Sequence, residues 1–309
     1  MKNRYNSVVR KAVIDVGSNS VLLLVQELID GTWQFVAEDT AVTALGNGTK
    51  QTGLLGASGM RDTLAALKRM FEDAQSLGAS SVTAAATMAA RIATNADEFL
   101  ARAESQNTPV SILSGEDEAR LGFLAVATDP HFGKFKAITI VDPGGHSTEI
   151  MMSSKIEGKW ETDFLNSYSV GTLGLKTEAI PSESPEASEI LAATAIIDAR
   201  LAEVPPPTGN RPVIVLGASG TNLISIREAL TSWQPEKVHG AYLSFEEISR
   251  AVGWMMPLTD QERRDIVGME PGREKTIHLG ALILERFLFA LNEEGCFVSV
   301  RGWRYALFD

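Results

Sequence analysis

Apolar residues recur along this chain with two periods. Met60, Leu64, Leu67, Met70 and Phe71 fall three or four positions apart and predict one buried face of a helix over 59–74, and Ala96 to Glu104 carries the same period. Short apolar runs at Ala12 to Val16, Val21 to Val25, Ser81 to Ala85, Val110 to Leu113, Ile138 to Val141, Pro212 to Leu216 and Phe297 to Val300 predict strands. The Pro- and Ser-rich stretch Ile180 to Pro185 opens a helix running to about Leu201, and further helices are expected over Asn222 to Leu230, Phe245 to Met255 and Thr276 to Leu291. Val204 to Gly209 is a loop by composition. Strands interleaved with helices imply an α/β fold.

Within this pattern one unit occurs twice. Ala12 to Val16, the turn Gly17-Ser18-Asn19-Ser20 and Val21 to Val25 read as strand, tight turn, strand, and 137–152 repeats the plan around Gly144-Gly145-His146-Ser147. The two turns share Asp-x-Gly-(Ser/Gly)-(Asn/His)-Ser and stand 127 positions apart, Asp15 against Asp142. That distance is about one domain length, so the chain reads as two related subdomains, 1–126 and 127–309, facing each other.

Composition narrows the class. With 309 residues, 44% hydrophobic, the chain is long enough to bury a sizeable core and is neither disordered nor fibrous. Its 39 acidic and 28 basic side chains leave a formal charge of -11, which argues against broad binding to nucleic acid or to an anionic membrane. An anionic substrate must therefore be captured locally. The single cysteine, Cys296, excludes an internal disulfide framework, fits a reducing cytoplasm and, lying in an apolar run, reads as a buried spectator. Lys2, Arg4, Arg10 and Lys11 precede no signal-like apolar stretch, and no apolar segment is long and uninterrupted enough to span a bilayer.

The chemistry concentrates at the turns. Asp15 and Asp142 each end an apolar strand, where a carboxylate is costly unless paired or bound to a metal. Each aspartate either accepts hydrogen bonds from its own turn or, with Glu149, contributes to a site for a hard cation, for which Mg²⁺ is the usual choice and Mn²⁺ the alternative. The backbone N–H groups of Gly17, Ser18, Asn19 and Ser20, of Gly144, Gly145, His146 and Ser147, and of a third turn containing Gly217 and Ser219 suit phosphate, with hydroxyl donors from Ser18, Ser20, Ser147 and Thr148. Ser114 to Leu121 places Glu116, Asp117 and Glu118 at a helix start, where acids complement the helix dipole and Ser114 can cap. His131, His239 and His278 show no metal-ligand spacing, so surface or packing roles are the default.

Five segments in order, Ala12 to Ser20, Ala86 to Arg91, Ser114 to Leu121, Val141 to Glu149 and Gly217 to Thr221, resemble the exopolyphosphatase and guanosine pentaphosphate phosphohydrolase family of the actin, hexokinase and Hsp70 superfamily. The resemblance covers about 12–308. It implies two actin-like (ribonuclease H-like) subdomains with the active site in the cleft between them, and Mg²⁺-dependent release of terminal phosphate from inorganic polyphosphate or guanosine pentaphosphate. It also implies Glu118 as the base that activates water, Arg91 on the phosphate chain, Asp15, Asp142 and Glu149 at the acidic positions, and the two glycine turns as phosphate loops. A homodimer in the cytoplasm, without nucleic acid or membrane as partner, is the accompanying expectation, although the sequence itself does not fix the oligomeric state.

Three departures bear on the resemblance. His146 replaces a third glycine of the second loop. The imidazole either reaches the phosphate or narrows the loop, and it stands opposite Asn19 in the internal repeat, where a positive φ would suit both residues. Asp117 replaces a glutamate before Glu118. Long members of the family continue beyond the position of Asp309, which favours short chains, a nucleotide or a partner protein as the ligand of this one. The arginines of Arg301-Gly302-Trp303-Arg304 resemble a closing motif and either face the cleft or form strand-end salt bridges.

Overall fold

The computed structural model of the chain describes residues 9–205 and 211–308, so Lys2, Arg4 and Pro206 to Gly209 of the expected loop lie outside it. The chain divides into two compact units, Met1–Leu121 with Trp303–Asp309, and Gly122–Gly302. The first contains β1 (Val9–Val16), β2 (Ser20–Ile29), β3 (Thr32–Val42), α1 (Thr49–Thr52), α2 (Ala57–Ser76), β4 (Ser81–Ala86), α3 (Met88–Ile92), α4 (Ala96–Ser105), β5 (Ser111–Ile112) and the start of α5 (Gly115–Ala127). Its sheet has the order β3-β2-β1-β4-β5, with β1, β4 and β5 parallel and the β1-β2-β3 side antiparallel. The expected face of α2 is buried, and Leu67 and Met70 pack with Ile14, Leu23, Val25 and Phe99 in one core.

A 3-10 turn, Trp303–Leu307, belongs to this unit although it follows the whole second unit in sequence. Arg304 donates to Glu38 at 2.7 Å and to the Leu23 carbonyl at 3.3 Å, and Phe308 meets Trp33 edge to face at 5.4 Å. Both members of the Arg304–Glu38 pair are buried, so removing either would strand a charge.

The second unit contains β6 (Ala137–Pro143), β7 (Thr148–Ile156), β8 (Lys159–Tyr168), α6 (Thr172–Glu178), α7 (Ala187–Leu201), β9 (Val213–Val215), α8 (Gly217–Arg227), α9 (Pro235–Val238), β10 (Tyr242–Ser244), α10 (Phe245–Met255), α11 (Asp260–Arg264), α12 (Ile277–Leu291) and β11 (Gly295–Val298). Its sheet order is β10-β11-β9-β6-β7-β8, with β6, β9 and β11 parallel. α12 is apolar on nearly every side because it is buried among other elements: Leu282, Ile283, Phe287 and Leu288 share a core with Ile150, Val213 and Val215. Fully buried Arg263 donates to the carbonyls of Glu274, Met255, Leu258 and Glu183 and to the Asp260 carboxylate, tying together the segments around α10 and α11.

The two units repeat one backbone plan at a constant offset of 127 residues. The turns Asp30-Gly31 and Glu157-Gly158 both take positive φ, at 50° and 79° against 51° and 82°. The bulge at Val25/Gln26 recurs at Met152/Ser153. The Gly46 N–H donates to the Ser18 carbonyl at 2.8 Å, as the Leu173 N–H donates to Gly145 at 2.6 Å. The repeat therefore extends from the six aligned turn positions through three strands and the loop that follows.

Several expectations need correction. β3 and β8 were not predicted, because neither has a continuous apolar run. The helix expected from Asn222 starts at Gly217, so the third turn lies within the first turns of α8. The last strand ends at Val298 rather than Val300, and the strand at 110–113 is confined to Ser111–Ile112. His131 and His239, distant in sequence, come together. Their rings lie 5.6 Å apart, and buried Asp129 accepts from the His131 N–H at 2.8 Å and pairs with His239 at 3.0 Å and Arg301 at 3.5 Å. Arg301 and Arg304 thus form ion pairs within their own units. Cys296 is buried as expected, its thiol pushed up to about 12 by burial. Among the described residues no helix is long and apolar enough to cross a membrane.

His278, in α12, is fully buried with neither ring nitrogen hydrogen-bonded, and burial lowers its pKa from 6.5 to about 2. The unfolded chain binds this proton and the native state does not, so stability is complete above pH 6.5 and falls as the pH drops below it, by at most about 1.4 kcal/mol per pH unit. Denaturant unfolding of a His278→Leu variant at pH 7 and pH 5 should show a smaller acid loss than the parent. Equal losses would refute the assignment.

Candidate active site

In the first unit the candidate residues lie at the carboxyl ends of adjacent parallel strands, the place where open α/β sheets bind ligands. β1 runs into Gly17–Ser20, β4 into Thr87–Arg91 and β5 into Leu113–Glu118, with Val16 opposite Ala86 and Ala86 opposite Ile112. The Gly17 N–H donates to the Ser20 carbonyl at 2.9 Å, and a Cβ at 17 would lie 3.1 Å from that oxygen, so a side chain there would push the turn open by a few tenths of an ångström. The carbonyls of Ser18 and Asn19 accept backbone N–H groups from Gly46, Thr43 and Ala44, a bracing loop that sequence reasoning missed. Asp15 Oδ1, Asn19 Nδ2 and Ser20 Oγ are left shielded without hydrogen-bond partners. Two such atoms in the turn and one in the strand leading into it are what a phosphate and a cation would satisfy.

Burial raises the Asp15 carboxyl from 3.8 to about 6, outweighing the opposing pull of Arg304 and Trp303. The Arg91 guanidinium donates to the Leu113 carbonyl at 2.7 Å and to Glu118 Oε2 at 3.2 Å, and both side chains are partly exposed, at 29% and 22%. The acids of α5 are sorted by the cap. The Asp117 N–H donates to Ser114 Oγ at 3.0 Å while the Asp117 carboxylate takes the Ser114 hydroxyl and Arg120, which holds its carboxyl below the usual range. Asp117 is thereby committed to the helix start, and Glu118 is the acid that meets Arg91.

The second unit carries the counterpart. The Gly144 N–H donates to the Ser147 carbonyl at 2.8 Å, and the N–H groups of Thr172, Leu173 and Gly174 hold the carbonyls of Gly144 and Gly145. Asp142 and Glu149 are directly opposed across β6 and β7, a placement of like charges that is unfavourable without a cation or donor between them. Glu149 accepts the Ser167 hydroxyl at 2.7 Å. Gly217, at φ 74°, brings α8 so close to the second turn that a Cβ there would lie 3.0 Å from Asp142 Oδ1. With its first N–H groups unpaired within the helix, α8 keeps the anion-binding potential expected of a turn.

Two readings of the second loop change. Thr148 was counted as a phosphate donor, but its hydroxyl is fully buried and donates to the Val170 carbonyl at 2.7 Å, so it braces the fold. Neither His146 nor Asn19 has a positive φ, so a side chain at this position carries no backbone penalty. The imidazole is 2% exposed, with Nδ1 3.9 Å from where a Cβ on Gly174 would lie, so it packs over α6. Among the described residues no group of three or more His, Cys, Asp or Glu stands placed to hold a metal by itself.

Because the Asp15 carboxyl is raised, its ionisation opposes folding as the pH rises from about 4 through 6. Asp15→Asn should therefore stabilise the metal-free protein at pH 7.5 by no more than about 3 kcal/mol, and leave stability below pH 4 unchanged. Urea unfolding at the two pH values tests this, and destabilisation at pH 7.5 would refute it.

The model of the Ppx/GppA phosphatase family matches residues 24–308. Exopolyphosphatase 2 of Mycobacterium tuberculosis is 26% identical over 303 residues, covering 93% of this chain and 92% of that protein. Guanosine-5'-triphosphate,3'-diphosphate pyrophosphatase of Vibrio cholerae is 28% identical over 288 residues, covering 92% of this chain but 55% of that one. The crystal structure of the Aquifex aeolicus Ppx/GppA family member superposes with a TM-score of 0.78 at 27% identity, covering 97% of this chain and 96% of that one. The motifs, the two α/β units and a match over most of its length agree: the chain has the actin-like fold and belongs to the Ppx/GppA phosphatase family.

Proposed function

We propose that this chain hydrolyses terminal phosphoanhydride bonds, releasing orthophosphate from inorganic polyphosphate. The observation that carries the chemistry is the Arg91–Glu118 pair at the strand ends of the first unit, beside a glycine turn in which Asn19 Nδ2 and Ser20 Oγ lack partners. A water oxygen attacks the terminal phosphorus while Glu118 accepts its proton. The bridging P–O bond breaks, leaving orthophosphate and a chain one phosphate shorter, and the proton passes from Glu118 to solvent or the leaving oxygen. Arg91 orients the carboxylate and offers its remaining N–H groups to phosphate oxygens. The turns at Gly17–Ser20 and Gly144–Ser147 and the start of α8 at Gly217 and Ser219 bind phosphates through backbone N–H groups.

Mg²⁺ fits the donors present. Within the first unit Asp15 offers a shielded oxygen, and within the second Asp142 and Glu149 oppose each other across a ladder; such an ion takes one or two carboxylates and completes its shell with phosphate and water. When bound it would neutralise phosphate charge. Mn²⁺ is the alternative.

Guanosine pentaphosphate is the second reading, since a relative at 28% identity is named for that activity. Polyphosphate comes first because the relative matched over 92% of its own length is named an exopolyphosphatase. The lone buried cysteine supports a cytoplasmic location, and the exposed Leu191 and Phe289 support a homodimer as the assembly.

Phosphate release from polyphosphates of several lengths and from guanosine pentaphosphate, with and without Mg²⁺, should show Mg²⁺-dependent turnover that is fastest on polyphosphate. Preference for the nucleotide would reverse the order of the two readings. Glu118→Gln should lower kcat at least about 100-fold with little change in KM, and undiminished turnover would remove the base.

A further inference from the structure

Gly280 lies in the interior of α12, remote in sequence from every motif discussed above. Its conformation is ordinarily helical, without positive φ, and its N–H donates to the Thr276 carbonyl at 2.9 Å, so the glycine is not there for backbone freedom. It is there for space. A Cβ on Gly280 would lie 2.4 Å from Ser219 Oγ, 3.0 Å from Ser219 Cβ and 3.6 Å from Thr172 Cγ2.

One of these neighbours belongs to a phosphate element of the second unit, and the other braces the second such element. Ser219 is in the opening turn of α8, and the Thr172 N–H donates to Gly144 in the second phosphate turn at 3.1 Å. The elements also meet directly, where Gly217 passes Asp142. Contacts therefore close a ring from Asp142 to Gly217, Ser219, Gly280, Thr172 and Gly144, and back to Asp142 along the chain. On the far side, Gly220 is fixed against Val215 and Val298, with a built Cβ at 3.0 Å and 3.4 Å from them, so α8 has little room to retreat.

We infer that Gly280 is a positioning residue: by letting α12 touch Ser219 and Thr172 together, it sets the spacing between the second phosphate turn and the start of α8. This rests on the proposed phosphohydrolase activity. A methyl group at 280 forces Ser219 or α12 to move, and ligand oxygens gripped by both elements lose one of the grips. Alanine is also the better helix former, so a loss on substitution cannot come from a weakened helix. Gly253 in α10, where a built Cβ meets nothing within 4 Å, is the matched control.

The experiment compares the parent, Gly280→Ala, Gly253→Ala, Ser219→Gly and the double variant Ser219→Gly/Gly280→Ala. Phosphate release gives kcat and KM, and amide hydrogen exchange is followed over 142–147 and 217–221 in the absence of substrate. Gly280→Ala should raise KM about tenfold with kcat within about twofold of the parent, and should speed exchange in both segments, while Gly253→Ala changes neither. Removing the Ser219 side chain makes room for the methyl, so the double variant should match Ser219→Gly alone. Parent KM and exchange in Gly280→Ala, or a double variant worse than Ser219→Gly, would overturn the inference. If Gly280→Ala does not fold, the comparison of the double variant with Ser219→Gly still decides. If the parent releases no phosphate, the proposed activity fails, and the exchange data still judge the spacing role by themselves.

Discussion

A strand that ends in a carboxylate and must reverse within four residues leaves the chain few solutions, and both units use the same one. A glycine N–H reaches the carbonyl of the serine three positions on, so closely that a Cβ would crowd that oxygen at about 3 Å. The carbonyls of the turn are then turned into the fold by the N–H groups of a returning loop, 43–46 in one unit and 172–174 in the other. The sheet order, the bulges and the third strand carry that loop back to its turn. The antiparallel half of each sheet is in this sense the support of one hydrogen-bonded turn.

The parallel half carries the proposed chemistry. Three adjacent strand ends in the first unit deliver a carboxylate, an arginine and a glutamate, and burial, capping and pairing give each a different condition. Asp15 is raised by its shielding, Asp117 is lowered by the cap, and Glu118 pairs with Arg91. Acidic residues on a chain of charge -11 are thus distributed by environment, with some committed to structure and others left at strand ends. That is how an acidic protein hosts polyanion chemistry.

Much of this was legible in the sequence. The strand-turn-strand units, α2, α10 and the motif residues are written in local patterns, and a repeat of six residues suggested the two halves. The repeat was in fact much longer, but its further matches, such as the bulges at Val25/Gln26 and Met152/Ser153, preserve conformation rather than identity. β3 and β8 were missed because they are partly exposed strands, whose alternation is diluted by polar residues on both faces. The Asp129, His131, His239 and Arg301 group was invisible because His239 and Arg301 lie far in sequence from Asp129 and His131. Thr148 was misread for the opposite reason: its neighbours suggested a donor, and only the position of the Val170 carbonyl shows where the hydroxyl goes.

The return of Trp303–Asp309 to the first unit has a consequence for synthesis. When a ribosome has released the segment up to Leu121, the partner of Glu38 has not been made, and the edge-to-face contact of Trp33 with Phe308 cannot form. Gly122–Gly302 is contiguous and has all its residues available before the first unit does. Vectorial folding therefore runs against the usual N-terminal-first order. The half that emerges first is completed last, and the residues bearing on Asp15 arrive only after Gly122–Gly302 has been translated.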